Sequence, residues 1–376
     1  MTVARLVPIL AGLALIALML WEAFETILLP RTASRRFRFT RFFFRSLWNP
    51  WSALGRRMSP GPNRERYLGL FGPLSILLLM VSWAVGLIIG FGLVQWGFLS
   101  ERTGLDELET SLYLSGTTFF TLGLGDVKPE GPAARFAAMS EAGLGFGFLA
   151  CIISYLPVIY TAFSLREVTI LRLDVRAGSP PSAAELLRQH GHRGGEADLN
   201  ELLRDFEQWS AQVLESHLSY PILCFYRSQH RDQSWLAALT TILDTCALLL
   251  VGIEGVEARQ APLTFAMARR ALVDIAHIFR DTDHDVLPDP PDRLPTGELD
   301  RLRDLLRADA SLLAGTDADE KLCRLRATYE PTAYALSVNL LMPLPPWLPS
   351  AEAGNDPTSA AEQIYDQDGA TDVSTV

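Results

Sequence analysis

The sequence predicts an all-α chain in two parts, a set of membrane-spanning helices followed by a helical domain outside the bilayer. Three observations carry that prediction. Apolar runs at 7–29, 68–99 and 142–165 each reach the ~20 residues that a helix needs to cross a hydrocarbon core. Beyond them, apolar residues recur at helical spacing with few strand signals. The composition, 49% apolar with mean hydropathy +0.16 over 376 residues, is too apolar for an ordinary soluble protein and too polar for one wholly in a membrane.

The first run (domain 1–30) follows Arg5 and so has the outline of a signal peptide. It continues through Trp21, Glu22 and Glu25 without a clear small-residue cleavage site and meets a basic block at once, so it is expected to stay as a transmembrane helix. The block (linker 31–67) runs from Arg31 to Arg66 with Glu65 as its one acid. The positive-inside rule makes this segment cytoplasmic, and its arginines suit contact with anionic membrane lipid. The N-terminus is then outside, the second helix runs outward, and the third returns to the cytoplasm, where Arg166, Arg172 and Arg176 follow it. The second run carries no charge and has Trp96 near one end, as an interfacial anchor would.

Between the second and third runs stands "TTFFTLGLGDVKP", Thr117 to Pro129. The helix-compatible stretch before it, 108–119, is too short to span, so the chain must enter the membrane and return on the same side. Irregular backbone is tolerated at that depth only when buried in protein or lining a water-filled path. Gly123 and Gly125 can take positive φ and let successive carbonyls face one way, and such oxygens can replace an ion's hydration shell. The C-terminal end of the short helix favours a cation, and Asp126 adds negative charge at the outer mouth.

"SLYLSGTTFFTLGLGDVKP", flanked by one apolar helix on each side, resembles the pore domain of the potassium channel superfamily, here of the single-pore-loop, two-transmembrane type with an additional N-terminal helix. The family's filter reads T-V-G-Y-G-D, and Thr121, Leu122, Gly123, Leu124, Gly125 and Asp126 take its positions. The resemblance covers roughly 68–165. It implies ion sites formed by the backbone oxygens of Thr121, Leu122, Gly123 and Leu124 with the Thr121 hydroxyl, a conducted K+ and no other cofactor, and a homotetramer, because the family's filter needs four loops. Leu124 departs from the usual tyrosine, whose ring and hydroxyl brace the filter. The potassium reading therefore stands beside two alternatives, a weakly selective cation channel and a non-conducting sensor or scaffold that keeps the pore fold.

In the third run Gly145 falls where the family's inner helix commonly has a hinge, and Pro157 would break one backbone hydrogen bond. Close packing at the glycines is the competing reading, and packing is favoured for Gly86 and Gly90 in the second run. Glu141 could support the filter through Thr117 or Thr118, or sit at the interface. Phe119 and Phe120 are read as packing in the pore-helix wall.

A linker (166–181) leads to a helical cytoplasmic domain (182–345), opened by a capping box at Ser182 and Glu185. Helices follow around Leu199–Val213, in "SWLAALTTILDTCALLLVGIEG", in "TFAMARRALVDIAHIFRD" and in "TGELDRLRDLLRADA". The apolar run at 235–253, which could be taken for a fourth span, is interrupted by Asp244 and has no matching return helix, so it reads as a buried core helix. Cys151, Cys224, Cys246 and Cys323 share no metal or CxxC spacing and read as reduced. "DTDHD" at 281–285 with His277 is the best metal candidate and is weak; His190 and His192 rate no higher, and no metal is assigned beyond the conducted cation. No strand with G-x-G-x-x-G, no catalytic constellation and no arginine-ladder voltage sensor is legible, which argues against an enzyme. The net charge of −10 argues against nucleic acid. Residues 346–376 read as a disordered acidic tail.

Overall fold

The computed structural model describes residues 3–27, 39–99, 105–190, 196–229, 233–253, 257–279, 290–307 and 314–349, and the described residues are helical with connecting turns. They fall into two units, Met1–Arg57 with Leu70–Thr161, and Met58–Gly69 with Ala162–Val376. Three helical stretches, Arg5–Ile27, Pro62–Phe98 and Gly131–Ala177, are long and apolar enough to cross a membrane.

In the first unit, α1 (Val3–Ile27) lies along α4 (Phe71–Leu99), with α2 (Phe39–Arg57) against the start of α4. Their shared core holds Met19, Leu79, Trp83, Leu87, Phe91 and Val94. The α1–α4 seam is close: a Cβ on Gly90 would stand 2.7 Å from Ile16 Cγ1, and one on Gly86 2.6 Å from Met19 Sδ. Small residues let apolar helices approach where no hydrophobic effect drives them together, so this pair serves packing. Between α2 and α4 lies α3 (Pro62–Gly69), and the segment expected as a linker thus contains α2 and most of α3.

Next come α5 (Leu105–Phe119) and α6 (Gly131–Ala177). At 1.5 Å per residue, the 15-residue α5 is about 22 Å long, short of the ~30 Å hydrocarbon core. Asp106 and Glu107 in its first turn complement the helix dipole. The 47-residue α6 is about 70 Å long, so it extends well beyond a bilayer core. It starts eleven residues before the apolar run does, because 131–141 includes Arg135 and Glu141. It also runs through 166–177, where the sequence suggested a linker. Pro157 sits inside it without ending it.

The second unit contains α7 (Ala183–His190), α8 (Glu196–Ser219), a 3-10 turn at Pro221–Phe225, α9 (Trp235–Val251), α10 (Ala261–Phe279), α11 (Thr296–Leu306), α12 (Thr316–Ala327) and α13 (Glu330–Leu340). Ser182 Oγ accepts from Glu185 N at 3.3 Å, as the capping pattern predicts. α9 is central, contacting α7, α10, α12 and α13, and of its residues only Leu250 is not buried. Asp244 is accommodated there by Arg293, with Nη2 to Oδ2 at 2.7 Å, and by the Tyr329 hydroxyl at 2.5 Å. A buried charge needs such pairing, and the pair explains why this apolar helix belongs to a core. Neither α12 nor α13 was expected. The chain expected to begin a tail at 346 instead buries Trp347, which accepts from Ala184 N through its carbonyl at 3.2 Å and carries Arg293 and Arg326 over its ring, each at 5.6 Å.

All four cysteines are free thiols. The "DTDHD" segment, His192 and the chain beyond 349 lie outside the described residues. Among the described residues no cluster of three or more His, Cys, Asp or Glu is placed to hold a metal.

Candidate functional site

The loop from α5 to α6 has a backbone unlike anything else in the described chain. Thr121 has φ 56°, Gly123 55° and Gly125 79°, while Leu122 and Leu124 between them do not enter the left-handed region. In an ordinary strand successive carbonyls point to opposite sides. Alternating the sign of φ at every second residue turns successive peptide planes the same way. Glycine adopts this at little cost, whereas threonine does so against its preference.

The base of the loop is tied to the end of α5 by main-chain bonds. Phe120 N donates to Gly116 O at 3.1 Å, Thr121 N to Thr118 O at 3.0 Å, and Leu122 N to Thr117 O at 2.8 Å. Thr117 and Thr118 thus sit beneath the loop, and their contribution runs through carbonyls. The Thr117 hydroxyl turns back to Leu114 O at 3.0 Å.

At the mouth, the Tyr113 hydroxyl donates to Asp126 Oδ2 at 2.8 Å. This bond holds the Asp126 carboxyl below its ordinary value and pushes the Tyr113 phenol up. No motif in the residues points directly to the pair. The available hint was an aromatic hydroxyl one helical turn before Thr117, on the helix that carries the loop.

Behind the loop, Glu141 and Ser115 are both fully buried. Ser115 Oγ donates to Ile88 O at 2.7 Å and is hydrogen-bonded to Glu141 Oε1. Glu141 therefore does join α6 to α5, but at Ser115, whose hydroxyl faces α4 and α6, whereas the Thr117 hydroxyl turns back along α5. Gln95, fully buried on α4, donates to Ala134 O at 3.1 Å and ties α4 to the start of α6.

Gly145 meets the last turn of α5. A Cβ there would stand 2.1 Å from Phe119 O, so the contact exists because position 145 has no side chain. Phe119 is buried against Phe148, with ring centroids 5.9 Å apart, whereas Phe120 is exposed. Packing thus describes Phe119, and Phe120 meets it edge-on with ring centroids 5.4 Å apart while staying exposed in the single chain. Leu122 and Leu124 are also exposed, at 62% and 63%. One chain presents this backbone on an open face and encloses nothing by itself.

Residues 76–161 match the family described as ion channel. The chain is 31% identical over 94 residues to Protein LctB of Bacillus caldotenax and 32% identical over 96 residues to Protein LctB of Geobacillus stearothermophilus, in each case covering 22% of this chain and 69% of the relative. It is 24% identical over 265 residues to the uncharacterized membrane protein YdjJ of Bacillus subtilis, covering 65% of this chain and 71% of that protein. No solved structure matches. α4 from Ile76, the short α5 with the loop it carries and α6 as far as Thr161 make up the matched segment, and the chain belongs to the ion channel family as a multi-pass membrane protein.

Proposed function

We propose that the protein is a potassium-conducting channel assembled from four copies, with the backbone oxygens of Thr121, Leu122, Gly123 and Leu124 and the Thr121 hydroxyl as stacked sites for the dehydrated ion. The observation that carries this reading is the alternation of φ from Thr121 to Gly125. It is the backbone condition for a file of oxygens facing one way, and oxygens so placed can substitute for water around a cation. The open face of a single loop supports a closed ring of copies, which is the symmetric way to surround an axis. The arginines between α1 and α4 support an arrangement with the N-terminus outside and the second unit in the cytoplasm. Bending of α6 at Gly145 or Pro157 is the gating motion this reading entertains.

Weak selectivity is the second reading, and Leu124 favours it. Its side chain is exposed and has no polar group with which to brace the filter. Both readings are tested by flux through purified protein in liposomes, with reversal potentials measured in opposed potassium and sodium gradients. A reversal potential following potassium supports the first, and one that stays near zero supports the second. Absence of flux across voltage, pH and ligand conditions would overturn both in favour of a scaffold. Gly123→Ala, which puts a side chain at φ 55°, should abolish conduction.

A further inference from the structure

Behind the loop one hydroxyl stands between two oxygens. Ser115 Oγ lies 2.7 Å from Ile88 O on α4, and it is also hydrogen-bonded to Glu141 Oε1 on α6. A serine has one proton to give, a backbone carbonyl has none, and an ionised carboxylate has none either. The Ser115 proton serves Ile88 O, so the bond to Glu141 needs a proton from the carboxyl. Were Glu141 ionised, a single proton would have to serve both contacts, and one of them would set oxygen lone pairs against each other.

The surroundings agree with an un-ionised acid. Glu141 is fully buried, and its second oxygen, Oε2, is buried with no hydrogen-bond partner among the described residues. A carboxylate would keep part of its charge on that unbonded oxygen, which is costly away from water. The helices approach closely on either side. A Cβ on Gly92 would stand 2.6 Å from Leu112 Cδ2, where α4 meets α5, and one on Gly145 2.1 Å from Phe119 O, one turn beyond the Ser115–Glu141 pair. Nor is a cation bonded to Glu141 among the described residues. α4 carries no ionisable residue. α5 brings Asp106, Glu107 and Glu109 in its first five residues, and Tyr113, whose hydroxyl is turned to Asp126. Lys128, Glu130 and Arg135, before and at the start of α6, are exposed, as is Cys151 further along it, and Tyr155 is buried. α1, packed on α4, brings Glu22 and Glu25, both past Met19, the residue that meets Gly86.

We propose that Glu141 is a positioning residue that keeps its proton in the working protein and donates it to Ser115, so that one directed chain of hydrogen bonds, from Glu141 to Ser115 to Ile88 O, ties α6 through α5 to α4. Ser115 stands one turn before Phe119, and the carbonyls of Gly116, Thr117 and Thr118 just after it hold the base of the loop. Loss of the proton makes Glu141 a second acceptor for one donor. One of the two bonds is then broken, and a buried charge is left beside the support of the loop. Conduction depends on the protonated form, and alkali stops it.

The position of the proton is independent of which ion the loop passes, whereas the flux readout rests on the channel reading. Both are measured on the full chain in liposomes. Infrared difference spectra between the unaltered protein and Glu141→Gln should show, at pH 7, the carbonyl band of a protonated carboxylic acid that the variant lacks; ordinary glutamates, with values of about 4.3, are ionised there. As pH rises, flux through the unaltered chain should follow that band and fall about fivefold or more where the band is lost. Glu141→Gln, whose amide donates to Ser115 without titrating, should keep its flux over the same range. Absence of the band at pH 7 would overturn the assignment of the proton. Flux that outlasts the band, or an alkaline loss shared by Glu141→Gln, would overturn the positioning role. The band without flux at any pH supports the proton and removes the channel reading; flux without the band does the reverse.

Discussion

The Tyr113 hydroxyl donates to Asp126 Oδ2 at 2.8 Å, joining the helix before the glycine loop to the acid after it. The bond keeps Asp126 charged to lower pH than an ordinary carboxylate, whose value is near 3.8. A conducting protein should then lose its mouth charge only in strong acid. Tyr113→Phe removes the donor, so the midpoint for loss of flux on acidification should move upward. Flux against external pH for the two proteins checks this, and identical midpoints would separate Asp126 from the conduction path.

Gly145 should tolerate no side chain. With Phe119 O 2.1 Å from where a Cβ would be, Gly145→Ala must push α6 and the end of α5 apart, at about 1–3 kcal/mol for an overpacked site. Because the displaced carbonyl belongs to the turn beneath the loop, flux should fall as well. Gly147→Ala, where a Cβ meets nothing within 4 Å in the chain, is the comparison. Thermal unfolding and flux for both variants should separate them; equal behaviour would argue that Gly145 serves bending and not contact.

Glu141→Gln should be close to neutral, since an amide can still bond Ser115. Glu141→Ala removes a fully buried partner and leaves a cavity beside Ser115, and should cost about 1–3 kcal/mol. Unfolding midpoints in detergent distinguish the two variants. Equal losses would mean that the carboxyl shape contributes nothing to holding α6 against α5.

In the second unit Arg166 Nη1 lies 3.2 Å from His217 Nε2, while His217 Nδ1 is 2.7 Å from Val213 O. Arginine can only donate and a carbonyl can only accept, so the ring is neutral with its proton on Nδ1. Burial first, and then the Arg166 charge, lower the His217 value well below its ordinary 6.5. The unfolded chain therefore takes up a proton below about pH 6.5 that the folded chain refuses. Stability is full above that pH and falls as pH drops from 6.5 towards the lowered folded value, with a limiting slope of about 1.4 kcal/mol per pH unit for this one group. Unfolding of full-length protein from pH 8 to 5 should show a steeper acid loss than a His217→Gln variant does.

Much of this architecture is legible in the residues themselves. The three spanning stretches follow from apolar length, and the capping pair Ser182 and Glu185 marks the true start of α7. The loop 121–126 stands out because glycines at alternate positions make sense only for an unusual backbone. What the sequence hid were pairings between distant elements. Ser115 with Glu141, Tyr113 with Asp126 and Asp244 with Arg293 depend on which way a side chain faces after packing, and helical spacing does not encode that. α2 was missed for another reason: Pro50 and its arginines obscure the apolar face, whose period emerges only once Trp48 and Trp51 are seen against Phe71. α12 and α13 are short, and α12 is polar enough to look like surface loop.

Thr121 stands in the left-handed region at φ 56°, where a β-branched residue costs on the order of 1–3 kcal/mol. Glycine would relieve that conflict and erase the hydroxyl at the same stroke. A library of variants selected for heat resistance alone should therefore drift towards glycine at position 121, and one selected for ion passage should hold threonine. Under the proposed channel function, robustness and conduction are competing traits at this position.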